Sequence, residues 1–301
     1  MNFHEGIASL LRSMPRFRGK GRIGETLGRL LPMPRHQAGP STVRMKDGSL
    51  MALDFRKSAE RFAYWTGEYD SAIVLRLATC LRPDSVVLDV GANVGCWSIA
   101  LGRKLAPLQG TLYAFEPVPG NFARLQQVVA LNTLQQTVRP FHFALGDEEG
   151  EIDLHLEESD TDPLRTGNAV IVKEGSHGMP SANVKATIRT LDKFVEEEGV
   201  AECALIKVDI EGAELLFLKG GASFLSKSRP VIYGEFNAYW IKSFGYSFRD
   251  VADLVGPWGY RFYQRSGKSH FIELTKVDGA EDVLMVPDHL EKAVGSALGI
   301  L

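Results

Sequence analysis

Four carboxylates follow or end short apolar runs in this sequence, at the places where buried β-strands would finish. They are Asp89, Glu116, Asp209 and Glu235. Acidic side chains in such positions hold hydroxyl groups and cations, and they accept protons from reacting groups. Because ligands of open α/β sheets bind outside the carboxyl ends of the strands, the pattern predicts one acid-lined site.

The segment VVLDVGANVG, residues 86–95, predicts a buried strand followed by a glycine turn, and the next ten residues have helical spacing. The turn lacks the G-x-G-x-x-G pattern that brings a pyrophosphate against a helix N-terminus. The carboxylate of Asp89 would repel a pyrophosphate, whereas it suits a cationic sulfonium such as that of S-adenosylmethionine. A helix-capping role for Asp89 is the competing explanation.

A second apolar run, Gly110 to Phe115, ends at Glu116 and is followed by Pro117. An acid at the end of a second strand is suited to hold a ribose diol. Asp89 and Glu116 stand 27 residues apart, the length of one β-α-β step. The two acids together predict a nucleoside cofactor.

Five segments of the chain resemble, in order, the FkbM-type family of S-adenosylmethionine-dependent methyltransferases. They are LDVGANVG, FEPVPGNFARLQQVVALN, FALGDEEGEIDL, TLDKF and IKVDIEGAELLFLKGG, between Gly67 and Asn237. The resemblance implies an α/β fold of the Rossmann-like class I methyltransferase type. Its sheet would have seven strands, mostly parallel with one antiparallel, and helices on both faces.

The resemblance also implies that the backbone near Ala144 meets the adenine ring, with Leu145 and Asp147 as neighbours. In the same family a G-x-Y stretch lies just upstream of the sheet, so Tyr69 either lines the pocket or packs with Tyr64 and Trp65. The predicted cofactor-binding residues are Asp89, Gly91, Ala92, Asn93, Gly95, Glu116, Pro117, Ala144 and Asp209.

Residues 204–218, ALIKVDIEGAELLFL, predict an apolar strand that ends at Asp209 and a helix that begins near Gly212. Methyl transfer is an in-line displacement, and an alcohol is a poor nucleophile while it is protonated. Asp209 or Glu211 would accept that proton as transfer proceeds. For Glu211, and for Glu214 one turn later, favourable charge at a helix N-terminus is the competing explanation.

The next apolar run, Pro230 to Gly234, is followed by Glu235 and then Asn237. Glu235 either holds an acceptor hydroxyl or is itself the base, which makes it a predicted catalytic residue beside Asp209 and Glu211. We expect no metal ion. The alternative is Mg²⁺ bound by Asp209, Glu235 and Asn237, an oxygen-ligand set resembling that of some O-methyltransferases.

Composition bounds the organisation of the chain. With 301 residues and 45% hydrophobic content, it can form one catalytic domain with additions, and a net charge of −3 argues against a nucleic-acid binder. The three cysteines form no C-x-x-C pair, and no apolar stretch reaches the length of a membrane span, so a soluble cytoplasmic enzyme is expected. The predicted division is a basic arm (1–45), a lid (46–85), a catalytic domain (86–290) and a C-terminal helix (291–301).

Two peripheral segments leave alternatives open. Residues 1–44 carry many arginines interleaved with apolar residues, which favours a helix packed on its own domain over docking to an anionic membrane or a partner. Residues 157–184 break the regular pattern and form either a lid over the acceptor, with Asn168, Ser176 and His177 as hydrogen-bonding candidates, or a solvated loop.

These observations predict an S-adenosylmethionine-dependent O-methyltransferase acting on a hydroxyl of a sugar, glycan or glycosylated natural product. The alternatives are a methyltransferase for a carboxyl or nitrogen acceptor, and a non-catalytic nucleotide-binding module. The acceptor's identity and the oligomeric state are not predicted.

Overall fold

A computed structural model describes residues 3–15, 17, 19–30, 40–55, 57–156, 169–171, 182–267, 270–274 and 281–300. Its helices are α1 Phe3–Ser13, α2 Lys20–Leu30, α3 Ser58–Thr66, α4 Ser71–Leu77, α5 Cys96–Leu105, α6 Pro119–Leu131, α7 Leu191–Glu198, α8 Glu214–Gly220, α9 Ala222–Ser228, α10 Ala238–Ser243, α11 Phe248–Val255 and α12 Asp288–Leu298. Its strands are β1 Ser41–Arg44, β2 Leu50–Leu53, β3 Val86–Val90, β4 Thr111–Phe115, β5 Val138–Phe141, β6 Ala144–Gly146, β7 Gly150–Leu156, β8 Ala169–Ile171, β9 Ala182–Thr190, β10 Leu205–Val208, β11 Val231–Glu235, β12 Tyr260–Ser266, β13 His270–Glu273 and β14 Asp282–Pro287.

The central sheet has eight strands within the described residues, in the order β13-β12-β14-β11-β10-β3-β4-β5. The five from β11 to β5 are parallel, and β14 is antiparallel to β11 and to β12. The predicted α/β class, with a mostly parallel sheet and an antiparallel strand, is confirmed. The strand count is corrected from seven to eight, because β13 pairs with β12 and extends the edge.

Both faces of the parallel strands are buried, because alternate residues enter opposite cores. Val87 packs in a cluster with Ile99 of α5 and Leu125 of α6, whereas Leu88 packs in a second cluster with Phe217 of α8 and Leu191 of α7. Helices therefore cover both faces, as continuous apolar strands require.

The sequence VRPFHFA, residues 138–144, predicts the third strand of the sheet, but in the structure this segment is divided between two sheets. Its first part is β5 at the edge of the central sheet, where Pro140 lacks a donor N–H. Ala144 lies in β6, which pairs with β9 in a second sheet of order β6-β9-β7-β8. Asn168, Ser176 and His177 of the predicted acceptor loop lie outside the described residues.

Three predicted elements have different bounds. Residues 61–81, RFAYWTGEYDSAIVLRLATCL, predict one helix before the first central strand. The structure has two helices there, α3 and α4, because Gly67 adopts a left-handed conformation (φ 71°) and ends α3. Residues 47–55, DGSLMALDF, predict a short hairpin, and the structure pairs β1 with β2, so the first strand begins at Ser41. The C-terminal helix begins at Asp288 rather than at residue 291.

The described part of the basic arm packs on its own domain. Ala8 and Leu11 of α1 are buried, and the guanidinium of Arg12 donates to the carbonyl of Tyr64 at 3.2 Å and pairs with Glu5 at 2.6 Å. In α1 and α2 the arm is thus a helical segment packed on its own domain, as the sequence favours. Membrane contact and the four-part division of the chain stay predictions. None of the described helices combines the length and apolarity needed to cross a bilayer.

Candidate active site

A cavity of about 450 Å³ opens at the carboxyl ends of β3, β4, β10 and β11. Its wall is formed by the turns after these strands, by residues 143–145, and by residues 57–60 at the start of α3. Of the predicted site residues, the cavity wall includes Gly91, Ala92, Asn93, Glu116, Pro117, Ala144, Asp209, Glu211 and Glu235. Asp89, Gly95 and Asn237 are not in the wall among the described residues.

The turn after β3 depends on glycine at one position above all. Gly91 has φ 75°, and a Cβ atom there would lie 2.0 Å from the carbonyl oxygen of Asp209. Because that oxygen belongs to the backbone and cannot move away cheaply, only glycine lets the turns after β3 and β10 touch. Asn93 follows with φ 51°, a conformation that asparagine tolerates better than most residues.

Asp89 lies behind the cavity wall, one residue before the end of β3. It is 0% exposed, and it accepts a 2.6 Å hydrogen bond from Ser98 Oγ. Burial raises the pKa of this carboxyl, while the neighbouring cation Lys207 opposes the shift. Asp89 does not line the cavity, where the sequence placed it beside a cationic donor. It does not cap α5 through a backbone N–H either, since the bond it accepts comes from the Ser98 hydroxyl. Its link to the cavity wall is the ion pair with Lys207.

Lys207 is a buried cation of the cavity wall that the sequence analysis missed. It stands opposite Asp89 in the parallel register of β10 and β3, so the two side chains share a face. Its Nζ atom donates to the carbonyl of Gly91 at 2.9 Å and lies 3.6 Å from Asp89 Oδ1 and 3.5 Å from Asp209 Oδ2. Burial alone would lower the pKa of Lys207, but the charges of Asp209 and Asp89 raise it. A lysine between Ile206 and Val208, in an otherwise apolar strand, was the available signal.

Glu116 is buried at the end of β4 and stabilises the turn beside it. Its Oε2 accepts the N–H of Asn93 at 2.8 Å, and its Oε1 accepts the N–H of Val118 at 2.9 Å and a longer bond of 3.4 Å from Asn121. Burial raises the pKa of Glu116 to about 7 against these bonds. Because a carboxylate oxygen accepts two hydrogen bonds, Oε2 keeps capacity for a ligand hydroxyl.

The opposite wall is apolar. Phe143, Ala144, Leu145 and Leu154 line it, while Asp147 is exposed and lies outside the wall. Apolar surface of this kind suits an aromatic ring, and the adenine contact at Ala144 stays a prediction.

Asp209, Glu211 and Glu235 form an acidic end of the cavity. The Asp209 side chain is 37% exposed there and is held by Lys207. Partial burial, then the charges of Asp209 and Asp282, raise the pKa of Glu235 to about 7. Tyr69 lines the same cavity, and burial raises the pKa of its phenol well above the ordinary value. Tyr64 and Trp65 are instead core residues.

Glu214 and Asn237 have structural roles at the edge of the site. Glu214 is fully buried, and its Oε1 accepts the N–H groups of Ile210 at 3.0 Å and Gly212 at 3.2 Å, so it stabilises the turn after β10. Asn237 is the N-cap of α10 and accepts the N–H of Tyr239 at 3.0 Å. Within the described ranges, no group of three or more His, Cys, Asp or Glu side chains is placed to hold a metal ion.

Several known proteins are similar to this chain. A family model described as the methyltransferase FkbM domain matches residues 89–262. The 2-O-methyltransferase NoeI of Sinorhizobium fredii is 27% identical over 223 residues, which are 70% of this chain and 88% of that protein. The hexuronic acid methyltransferase AglP of Haloferax volcanii is 30% identical over 168 residues, 55% of this chain and 61% of that protein.

A crystal structure of methyltransferase FkbM from Methylobacillus flagellatus KT aligns with 78% of this chain and 55% of its own, at 18% identity and a TM-score of 0.44. The chain thus spans less than two thirds of that protein and of the archaeal relative. The family model, by contrast, covers more than half of the chain, including the turn after β3, Glu116, Asp209 and Glu235. The chain belongs to the FkbM family and is a methyltransferase.

Proposed function

We propose that the protein transfers the methyl group of S-adenosylmethionine to a hydroxyl oxygen of a sugar, a glycan or a glycosylated natural product. The observation that carries this proposal is one cavity with two unlike ends. A buried acid and an apolar wall, Glu116 and Ala144, suit a nucleoside at one end. Exposed acids, Asp209 and Glu235, suit a hydroxyl-bearing acceptor at the other.

The residues present fit that cofactor. Glu116 Oε2 would accept a ribose hydroxyl, and Phe143, Ala144 and Leu145 would flank the adenine. When bound, the sulfonium supplies an electrophilic methyl group. The backbone of the Gly91 turn, held by Lys207, keeps the two turns in contact and so positions Asp209 relative to the bound nucleoside.

At the acceptor end, Asp209 would take the hydroxyl proton as the methyl group is transferred. Its carboxylate is oriented by Lys207 Nζ at 3.5 Å yet remains partly exposed, so it is fixed and accessible. Glu235 at the end of the adjacent strand would hold the same hydroxyl or a neighbouring one. Glu211 also lines this end and is a third acid for the acceptor.

Several features favour an oxygen acceptor without a metal ion over the alternative acceptors and the alternative magnesium site. NoeI is named a 2-O-methyltransferase, which supports an oxygen acceptor, and AglP is named a hexuronic acid methyltransferase, which supports a sugar acid as the acceptor molecule. A carboxyl or nitrogen acceptor would not need two acids beside the transferred group. The alternative magnesium site would need Asn237 as its third oxygen ligand, and Asn237 is not among the residues of the cavity wall in the described part of the chain. We therefore expect a metal-free reaction. The cysteine pattern separately supports a location in the cytoplasm.

The proposal is tested by incubating the purified protein with isotopically labelled S-adenosylmethionine and a panel of free and glycosylated hydroxyl acceptors. Mass spectrometry should show the gain of one labelled methyl group on at least one sugar hydroxyl, and exhaustive chelation should leave the rate unchanged. Calorimetry with S-adenosylhomocysteine is the parallel measurement. A folded protein that binds neither the donor nor this product would refute the proposal, and binding without turnover on any acceptor would favour the non-catalytic module.

The pH profile should report Glu235. Because burial raises the pKa of Glu235 to about 7, the carboxyl is protonated below that pH and can no longer take the proton of the acceptor hydroxyl. With saturating cofactor, kcat/KM for the acceptor should rise with pH across a limb near 7. Glu235→Gln should remove the part of that limb that is due to Glu235 and lower kcat/KM at pH 8 by about tenfold or more.

Glu116 titrates in the same range and is present in both proteins, so only the difference between the two profiles reports Glu235. If the variant and the parent show the same limb, Glu235 has no part in acceptor binding or proton transfer.

A further inference from the structure

Lys57 is a second buried cation of the cavity wall, and the reaction described so far does not use it. The residue is 7% exposed, and its Nζ atom makes no hydrogen bond within the described part of the chain. Burial lowers the pKa of Lys57, with Glu60 opposing the shift. An ammonium group withdrawn from water without a hydrogen-bond acceptor is costly, so a missing acceptor is indicated.

The nearest acid does not fill that role. Glu60 Oε1 lies 3.7 Å from Lys57 Nζ, beyond hydrogen-bond range. The oxygens of Glu60 are engaged by the guanidinium of Arg124 and by the backbone N–H of Asp54. Asp54 is a second acid near Lys57 and Arg124 a second cation, so the charges of the four side chains sum to zero. The Lys57 ammonium nevertheless makes no hydrogen bond within the described residues.

A helix N-terminus lines the same cavity. Helix α5 has ten residues and begins after Gly95 without a side-chain cap. Its first two residues, Cys96 and Trp97, line the cavity together with Lys57. The first N–H groups of a helix lack intrahelical acceptors and carry partial positive charge, so they favour an anion.

We propose that Lys57 and the first turn of α5 bind a carboxylate, and that this is the carboxylate of the methionine part of the cofactor. The assignment rests on the proposed use of S-adenosylmethionine and adds a residue that orients it. With the nucleoside at Glu116 and the carboxylate at Lys57, the cofactor is held at both ends.

The test compares two ligands that differ only beyond the sulfur. S-adenosylhomocysteine carries the carboxylate, whereas 5′-methylthioadenosine has the same nucleoside and sulfur and no amino acid. In calorimetry, Lys57→Met should bind S-adenosylhomocysteine at least about tenfold more weakly than the parent, because a charge-assisted hydrogen bond is lost, and should bind 5′-methylthioadenosine within twofold of it. Lys57→Arg, which keeps the charge, should retain most of the affinity.

The matched control is Lys104→Met, at an exposed position near the other end of α5, which should leave both affinities unchanged. Equal affinity of parent and Lys57→Met for S-adenosylhomocysteine overturns the assignment, and so does an equal loss for both ligands. Should Lys57→Met not fold, Lys57→Gln takes its place under the same criteria. A parent protein that binds neither ligand refutes the proposed function rather than the role of Lys57.

Discussion

Asp209→Asn is expected to lower turnover by about 10²–10⁴-fold, the usual contribution of general base catalysis. The asparagine side chain has nearly the same shape and still accepts hydrogen bonds, but it cannot take a proton from the acceptor hydroxyl. The substitution also keeps an oxygen near Lys207, whose remaining partners are Asp89 and the Gly91 carbonyl. The turn after β10 should therefore keep its conformation, and affinity for S-adenosylhomocysteine should change by less than about threefold.

The measurement is single-turnover methyl transfer at saturating donor and acceptor, together with calorimetry for the product cofactor. Asp153→Asn, an exposed aspartate on β7, is the matched control and should behave as the parent. If Asp209→Asn turns over at the parent rate, Asp209 is not the base and Glu235 becomes the remaining candidate at an adjacent strand end. A parallel loss of rate and of cofactor affinity would instead indicate that Asp209 serves the cofactor.

The ends of most central strands could be predicted from the sequence, and so could most of the residues that line the site. Apolar runs with acids after them predicted Glu116, Asp209 and Glu235, and the structure places all three in one cavity. This works because the carboxyl ends of parallel strands share an edge whatever the loops between them do. The apolar run SHFIEL, residues 269–274, predicts a strand, and β13 forms there, but the strand count of seven came from the family resemblance and did not include it as an eighth member. Pairing at a sheet edge depends on tertiary contact rather than on a local pattern.

The positions of the side chains around those ends were harder to predict. Asp89 was expected to face the ligand. It is the last but one residue of β3, however, so the alternation of the strand decides which face of the sheet its side chain is on. On that face it contacts Lys207 and Ser98. Lys57 had no signal at all, since its burial depends on α3 packing in front of the sheet. Buried charges are set by such long-range contacts, and these leave no periodicity in the sequence.

The central ion cluster gives the second large effect. Lys207→Met removes the cation that faces Asp89, and Asp89 is 0% exposed, so its carboxylate would be left buried with only the hydroxyl of Ser98. Breaking a buried pair on one side costs about 3–5 kcal/mol, because the surviving charge has no compensation. We expect the free energy of unfolding to fall by about that amount, and the Gly91 turn to lose the bond that links it to β10.

The double variant Lys207→Met with Asp89→Asn separates charge from packing. Asparagine keeps an acceptor for Ser98 and carries no charge, so the double variant should recover at least about half of the stability lost in the single one. Urea denaturation of the parent, both single variants and the double variant gives the coupling energy between Lys207 and Asp89. The control is Lys219→Met, at an exposed position of α8, which should change the free energy of unfolding by less than about 0.5 kcal/mol. A double variant no more stable than Lys207→Met would show that the bond to the Gly91 carbonyl and the pair with Asp209, rather than the pair with Asp89, account for the stabilisation. Because recovery of stability would not restore the orientation of Asp209, the double variant should fold and still turn over slowly, which distinguishes the structural part of this cluster from its part in the reaction.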